Sequence, residues 1–278
     1  MADRLAVSTN SYHSYTFEEA LAGIAGAGYT SVELSSVPGW TEHVLRDSTD
    51  ADLDRVRAQL AAAGLDAISM SGHSDLASEE GIASFRKALR IAGYLGIRYI
   101  TTSTGGHDDS SSGSVEDQRR EFLTRFGPLA DEAAAAGIDI CLETHGGLSS
   151  TGAKTAELVQ AIGKPNVGIN YDTANVIFYG DVRPEEDILA AAPFVTHLHL
   201  KDKAGGDHDW NFPAIGTGNV DFAKVFTALD SVGFAGPVSV ELEFQGEPWP
   251  PLDDVQSALG SSRHFIRQYL PVADLRTG

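Results

Sequence analysis

The strongest constraint in this chain is a repeated alternation. Eight short runs are rich in β-branched and aromatic residues: RLAVSTN (4–10), TSVELSS (30–36), DAISMSG (66–72), RYITTST (98–104), IDICLET (138–144), VGINYDT (167–173), FVTHLHL (194–200) and PVSVELE (237–243). Each is followed by a longer Ala- and Leu-rich segment with helical spacing, such as DADLDRVRAQLAAAG or SEEGIASFRKALRIAGYLG. Most of these segments open at Ser, Thr or Asp beside acidic residues and several stop at Gly, the asymmetry that helix capping produces. Eight strand–helix units are the count of a (β/α)8 TIM barrel, whereas an open doubly wound sheet more often has five or six strands. No linker, low-complexity tract or block of like charge interrupts the pattern, so one α/β barrel domain is expected over residues 1–278. The one stretch of disorder-like composition, GGHDDSSSGS at 105–114, falls in a strand-to-helix loop and reads as a mobile lid.

Charge removes several function classes. The chain carries 20 Lys and Arg against 39 Asp and Glu, a formal net charge of −19. Nucleic-acid binding depends on clustered cations, so no nucleic-acid partner is expected. No apolar run approaches the roughly 20 residues of a membrane span, and MADRLAVSTNSY lacks the apolar core of a signal peptide, so a soluble cytoplasmic protein is expected. The single cysteine, Cys141, cannot form an internal disulfide; within GIDICLET it reads as a small buried hydrophobe rather than a nucleophile.

The barrel expectation directs attention to the strand ends, because active sites of this fold sit where strands pass into the following loops. The fifth to eighth runs end in Glu143, Asp172, His199 and Glu241. Taken singly, Asp172 could cap a helix, His199 could be a satisfied core histidine and either Glu an exposed rim residue. Four potential ligands on four consecutive strands at one rim are harder to attribute to such roles. Alternation leaves a two-residue ambiguity, since His197 shares a face with His199 and Glu243 with Glu241; the pair His199 and Glu241 is preferred. Three carboxylates and an imidazole suit one divalent ion per chain, Mn²⁺ first, with Mg²⁺, Co²⁺ or Zn²⁺ as alternatives. A structural zinc site would show several Cys ligands.

These residues carry a resemblance. LETHGG, NYDTAN, HLHLKD, WNFPAIGTGNVDF and VSVELE resemble the xylose isomerase-like TIM-barrel superfamily, specifically its sugar phosphate isomerase/epimerase branch, over essentially the whole chain. The resemblance implies a divalent metal held by Glu143, Asp172, His199 and Glu241. It also implies catalysis by Glu143 and Glu241, which would move a proton next to a carbonyl through an enediolate-like intermediate while the metal polarises the substrate. Many ketose epimerases of the family place a substrate-binding His three residues after the metal Asp; here Asn175 stands there, able to hydrogen-bond a hydroxyl but not to titrate. His145, two residues after Glu143, is an acid–base candidate by similarity to relatives that cleave C-glycosides of 3-oxo-sugars. Lys201 and Asp202 follow His199 in the family's HxKD manner, and Lys201 could stabilise an oxyanion. A homo-oligomer or a small second subunit would fit the family.

Further substrate contacts are expected from His73, His107 in the lid, Glu33 on the second strand and Trp210, with Phe212 and Trp249 as additional stacking candidates. GTGN at 216–219 lacks the full dinucleotide fingerprint and reads as a turn. The loop EFQGEPWPP is acidic and Pro-rich, unlike the Gly-rich phosphate loops of phosphosugar barrels, which favours an unphosphorylated sugar, inosose or oxo-sugar substrate. A metal-dependent isomerase or epimerase is therefore the leading expectation. A lyase or dehydratase, acting on an inosose or a 3-oxo-C-glycoside, is the alternative that uses the same α-proton. A nuclease of the endonuclease IV type would want more His ligands and a basic groove, and a non-catalytic sugar-binding barrel would need no convergent ligands.

Overall fold

The computed structural model describes residues 3–105 and 114–270. Eight strands, β1 (Leu5–Ser8), β2 (Ser31–Ser35), β3 (Asp66–Ser71), β4 (Tyr99–Thr102), β5 (Asp139–Glu143), β6 (Val167–Asp172), β7 (Val195–Leu200) and β8 (Val238–Val240), close into a barrel in sequence order. Every neighbouring pair is parallel, including β8 on β1, where Leu5 faces Val238 and Val7 faces Val240. The helices are α1 (Phe17–Gly26), α2 (Asp50–Ala63), α3 (Glu79–Leu95), α4 (Val115–Ala135), α5 (Gly152–Ile162), α6 (Asn175–Phe178), α7 (Pro184–Ala191), α8 (Phe222–Ser231) and α9 (Leu252–Ile266). No helix among the described residues is long and apolar enough to cross a membrane.

Local chemistry explains the boundaries. Thr16 with Glu19, and Thr49 with Asp52, form reciprocal capping boxes at α1 and α2, satisfying backbone donors that the first turn leaves open. The C-caps Gly64, Gly96 and Gly163 adopt the left-handed conformation, ending α2, α3 and α5. At α5 a distant residue adds a second cap: Asp187 of α7 accepts from the amides of Gly152 at 2.6 Å and Ala153 at 3.2 Å. The GTGN segment is a turn held by Asp202, whose carboxylate accepts from the backbone N–H groups of Lys203, Gly216, Gly218 and Val220. A Cβ on Gly218 would lie 2.4 Å from Asp202 Oδ1, so only glycine fits there.

Two features differ from the sequence expectation. The segment after Asp172 forms a short helix, α6, ahead of α7, where one helix per strand was expected; Asp172 Oδ1 accepts from the amides of Ala174 and Asn175 at 2.9 Å each and so starts that turn. The eighth strand stops at Val240, short of Glu241 and Glu243. Past that point the amide of Leu242 donates to Ser11 Oγ at 2.9 Å, Trp249 Nε1 donates to Ser11 O at 3.0 Å, and Phe244, at φ 50°, pairs with Phe212. The chain beyond β8 is thus docked onto the single 3-10 turn Thr9–Tyr12 that follows β1.

Barrel interiors are usually filled with branched apolar residues. Here the interior towards the strand C-termini is polar. Glu33, Thr101, Glu143, Asn170, Asp172, His197 and His199 are all buried and linked by hydrogen bonds or ion pairs. The apolar core lies around the sheet, where residues such as Leu34, Phe85, Ile140, Ile169 and Leu198 pack in one cluster with residues of the surrounding helices.

Candidate functional site

The four strand-end residues meet at one rim. His199 Nδ1 has Glu143 Oε2 at 3.2 Å, Glu241 Oε2 at 3.5 Å and Asp172 Oδ2 at 4.0 Å. Donor atoms of Glu143, Asp172 and His199 all lie within 4.8 Å of one another. Glu241 stands at the edge of this group, turned towards Lys201 Nζ at 2.7 Å. The two-residue ambiguity resolves by layers. His197 lies beside His199, with ring centroids 5.3 Å apart, and its Nδ1 is 2.8 Å from Asn170 Oδ1. Glu243 joins the rim beside Glu241 and contacts Lys201 at 3.0 Å.

Each member is held by neighbours. Glu143 accepts from Asn170 Nδ2 at 2.7 Å and Asn175 Nδ2 at 3.0 Å, with His73 Nε2 at 3.1 Å. His199 Nε2 is 2.8 Å from Glu33 Oε2, so with Nε2–H donating to that carboxylate, Nδ1 keeps its lone pair for the rim. A second donor group, Glu33 with His197 and His199, has similar spacing. There Glu33 already accepts the hydrogen bond of His199 Nε2–H, which makes it a support for His199 rather than an ion site.

The electrostatics follow from burial. For Asp172, burial pushes the carboxyl up to about 6; Lys201 opposes the rise, and Glu143 and Glu241 add to it. Burial would also raise Glu143, but the imidazoles of His73 and His199 hold it well below the usual carboxylate range. Glu243 is raised by burial despite Lys201. Lys201, whose ammonium burial disfavours, is nevertheless held well above its ordinary value by Asp172, Glu241 and Glu243. His199 is raised by Glu33, Glu241 and Glu143 against the effect of burial. Such mutual repulsion among buried carboxylates demands positive charge, because buried charges persist only when paired.

The donor set fits a divalent cation. Asp172 Oδ2 and His199 Nδ1 are buried without a hydrogen bond, and both face the space shared with Glu143. Hard carboxylate oxygens plus one imidazole are the donors that Mn²⁺-like ions take. Imidazole ligates through a deprotonated nitrogen, the state in which the Nε2–H bond to Glu33 leaves Nδ1.

The rim opens into a cavity of about 660 Å³ whose lining includes Asn10, His73, His145, Lys201, Trp210 and Glu243 together with Glu143 and Glu241. His145 sits in its wall with its ring centroid 5.3 Å from His73 and 5.0 Å from Tyr179. Other expected contacts are placed elsewhere. Glu33 is fully buried beneath His199 and does not line the cavity, since β2 turns it inward one layer down. Asn175 spends its amide on Glu143 rather than facing the cavity. Phe212 is buried with Lys201 Nζ 5.2 Å from its ring, and Trp249 is tied to Ser11, so neither is a cavity wall. Cys141 is buried, and burial pushes its thiol up to about 12, consistent with an inert packing role. His107 and residues 106–113 of the expected lid lie outside the described residues. Sequence reasoning missed Asn10, Trp40 and Glu243 as site members. Only Glu243 had left a signal, through its alternation with Glu241.

Comparison with known proteins agrees with this geometry. The family described as xylose isomerase-like TIM barrel matches residues 21–267. The chain is 25% identical over 241 residues to an L-ribulose 3-epimerase of Mesorhizobium japonicum, covering 81% of this chain and 74% of that protein. It is also 25% identical over 269 residues to an inosose dehydratase of Geobacillus thermodenitrificans, covering 82% of each. A crystal structure of a D-psicose 3-epimerase in the presence of D-fructose superposes with a TM-score of 0.77 at 20% identity, covering 96% of this chain and 99% of that one, which speaks for the fold. With the closed barrel, the carboxylate–imidazole rim and the family match over most of the chain, this protein belongs to the xylose isomerase-like TIM-barrel family.

Proposed function

We propose that the protein is a divalent-metal-dependent epimerase or isomerase of a small unphosphorylated ketose. The reading rests on one observation: Glu143, Asp172 and His199 at the ends of β5, β6 and β7, and Glu241 one residue past β8, converge around His199 Nδ1 beside a cavity of about 660 Å³ that Glu143 and Glu241 line. The metal ion, when bound, supplies Lewis-acid polarisation of the substrate carbonyl, Mn²⁺ being the first candidate. Glu143 and Glu241 approach from β5 and the end of β8, so a ketose between them offers opposite faces of the carbon next to the carbonyl. One carboxylate takes the proton from that carbon as the electron pair moves towards the carbonyl oxygen. The other returns a proton to the opposite face, inverting the centre. Lys201 can donate a hydrogen bond to a substrate oxygen. Among the described residues it is the one Lys or Arg in the cavity lining, and three carboxylates already engage it, which argues against a phosphate group on the substrate.

A second reading, dehydration or β-elimination, draws on His73 and His145 packed beside Glu143, where a proton could be given to a departing hydroxyl. The inosose dehydratase relative fits that outcome. Glu143→Gln and Glu241→Gln, assayed on L-ribulose with added Mn²⁺, should each retain metal yet lose at least about 10² in kcat. NMR of the products in deuterated water separates the readings: an isomer labelled at one carbon supports epimerisation, and loss of water supports elimination. A Glu241→Gln variant that holds metal and turns over normally removes Glu241 as a base.

A further inference from the structure

Glu241 and Glu243 lie beyond the last ladder position of β8, yet both carboxylates are fixed at both oxygens. Asn10 Nδ2 donates to Glu241 Oε1 and to Glu243 Oε1, each at 3.0 Å. Lys201 Nζ holds the two Oε2 atoms, at 2.7 Å and 3.0 Å. The Asn10 amide therefore spends both protons on the glutamates, and its orientation is fixed from behind: Thr41 Oγ1 donates to Asn10 Oδ1 at 2.6 Å. That hydroxyl has one proton, so it accepts from His13 Nδ1–H, also at 2.6 Å. His13 in turn stacks under Trp40, with ring centroids 4.1 Å apart and planes 25° from parallel, and Trp40 is a cavity wall.

We propose that Asn10 is the positioning residue for the Glu241–Glu243 pair, and that Thr41 and His13 hold its amide in the working orientation from beneath the aromatic rim of the cavity. The chain runs one way, from His13 to Thr41 to Asn10 to the glutamates, with each donor matched to one acceptor except the last, which divides its two protons. A flipped Asn10 would set its carbonyl oxygen against two carboxylates and its NH₂ against the Thr41 hydroxyl, so both ends of the amide select one orientation and Thr41 fixes the distance and direction from which Asn10 holds Glu241. This inference rests on the epimerase reading for its kinetic arm only.

Thr41 is buried and outside the cavity lining, which makes Thr41→Val a clean cut in the chain at constant shape. With L-ribulose and Mn²⁺, it should lower kcat by about tenfold, the effect of losing one buried hydrogen bond to the positioning amide, with KM within about twofold of the parent. Thr41→Ser restores the hydroxyl and should restore kcat. Independently of turnover, ¹⁵N–¹H NMR should show the Asn10 side-chain NH₂ as two downfield protons in the parent and in Thr41→Ser, and shifted upfield in Thr41→Val. Native kcat and native amide shifts in Thr41→Val overturn the proposal, as does a Thr41→Ser variant as impaired as Thr41→Val. If the parent protein turns over no ketose, the epimerase reading fails, and the amide signature alone judges the positioning role.

Discussion

Glu33 shows how much one buried side chain can decide without touching the cavity. Its carboxylate lies 2.8 Å from His199 Nε2 and is drawn down to about 2: burial alone would raise it, and His199 overrides that. By accepting the Nε2–H hydrogen bond, Glu33 points the other ring nitrogen at Glu143 and Asp172, the arrangement in which a carboxylate orients a ligating histidine. Glu33→Gln keeps the shape and an oxygen acceptor but removes the charge. It should weaken Mn²⁺ binding by about 10- to 100-fold in isothermal titration, with little change in folding as seen by circular dichroism. Unchanged affinity would mean that His199 is oriented by packing alone. The sequence marked Glu33 as polar within a strand, but the partner of an inward-facing residue depends on how eight strands are staggered, and a linear pattern does not contain that. His199 and Glu143 were legible because each needed only its own strand end to be found.

At the scale of elements, the eight-unit alternation was legible because capping and hydrophobic period are local signals, as at Thr16 with Glu19 and at Gly64. What was not legible depends on distant partners. The β8 ladder ends early because Ser11, far away in sequence, captures the amide of Leu242, and α6 forms because Asp172 turns Oδ1 onto the amides of Ala174 and Asn175. The cap on α5 is of the same kind. Asp187 reaches from α7 to two amides of α5, while Tyr171 O–H donates to the same carboxylate at 3.1 Å. Asp187→Ala should lower the urea midpoint by an amount equivalent to about 1–2 kcal/mol, the range of a lost N-cap, without changing the slope of the transition. A midpoint within error of the parent would mean that solvent satisfies those amides equally well.

Across the whole molecule, the polar barrel interior gives stability a dependence on pH that can be isolated at His197. Burial holds this imidazole down to about 4, so the folded protein keeps it neutral while the unfolded chain protonates it below about 6.5. Its contribution is therefore fully present above about pH 6.5 and is lost as pH falls towards 4, by about 1.4 kcal/mol per unit. Asp172 acts in the opposite sense over much of the same window: raised to about 6, it binds its proton more tightly when folded and favours the fold on acidification. The difference between parent and His197→Asn, measured by urea unfolding with chelator present, cancels the other groups. The deficit of the variant should shrink by about 3 kcal/mol in total between pH 6.5 and 4, and a constant deficit would place the His197 proton affinity at its ordinary value. The docking of the segment after β8 onto the turn after β1 carries a different consequence, one of timing. The hydrogen bonds from Asn10 to Glu241 and Glu243 join residues 231 and 233 positions apart, so they cannot form until the first strand meets the last. Ring closure and completion of the carboxylate rim are thus one event: a chain arrested with its cylinder open holds Glu143, Asp172 and His199, and Lys201 on one side of Glu241, but lacks the Asn10 amide on the other.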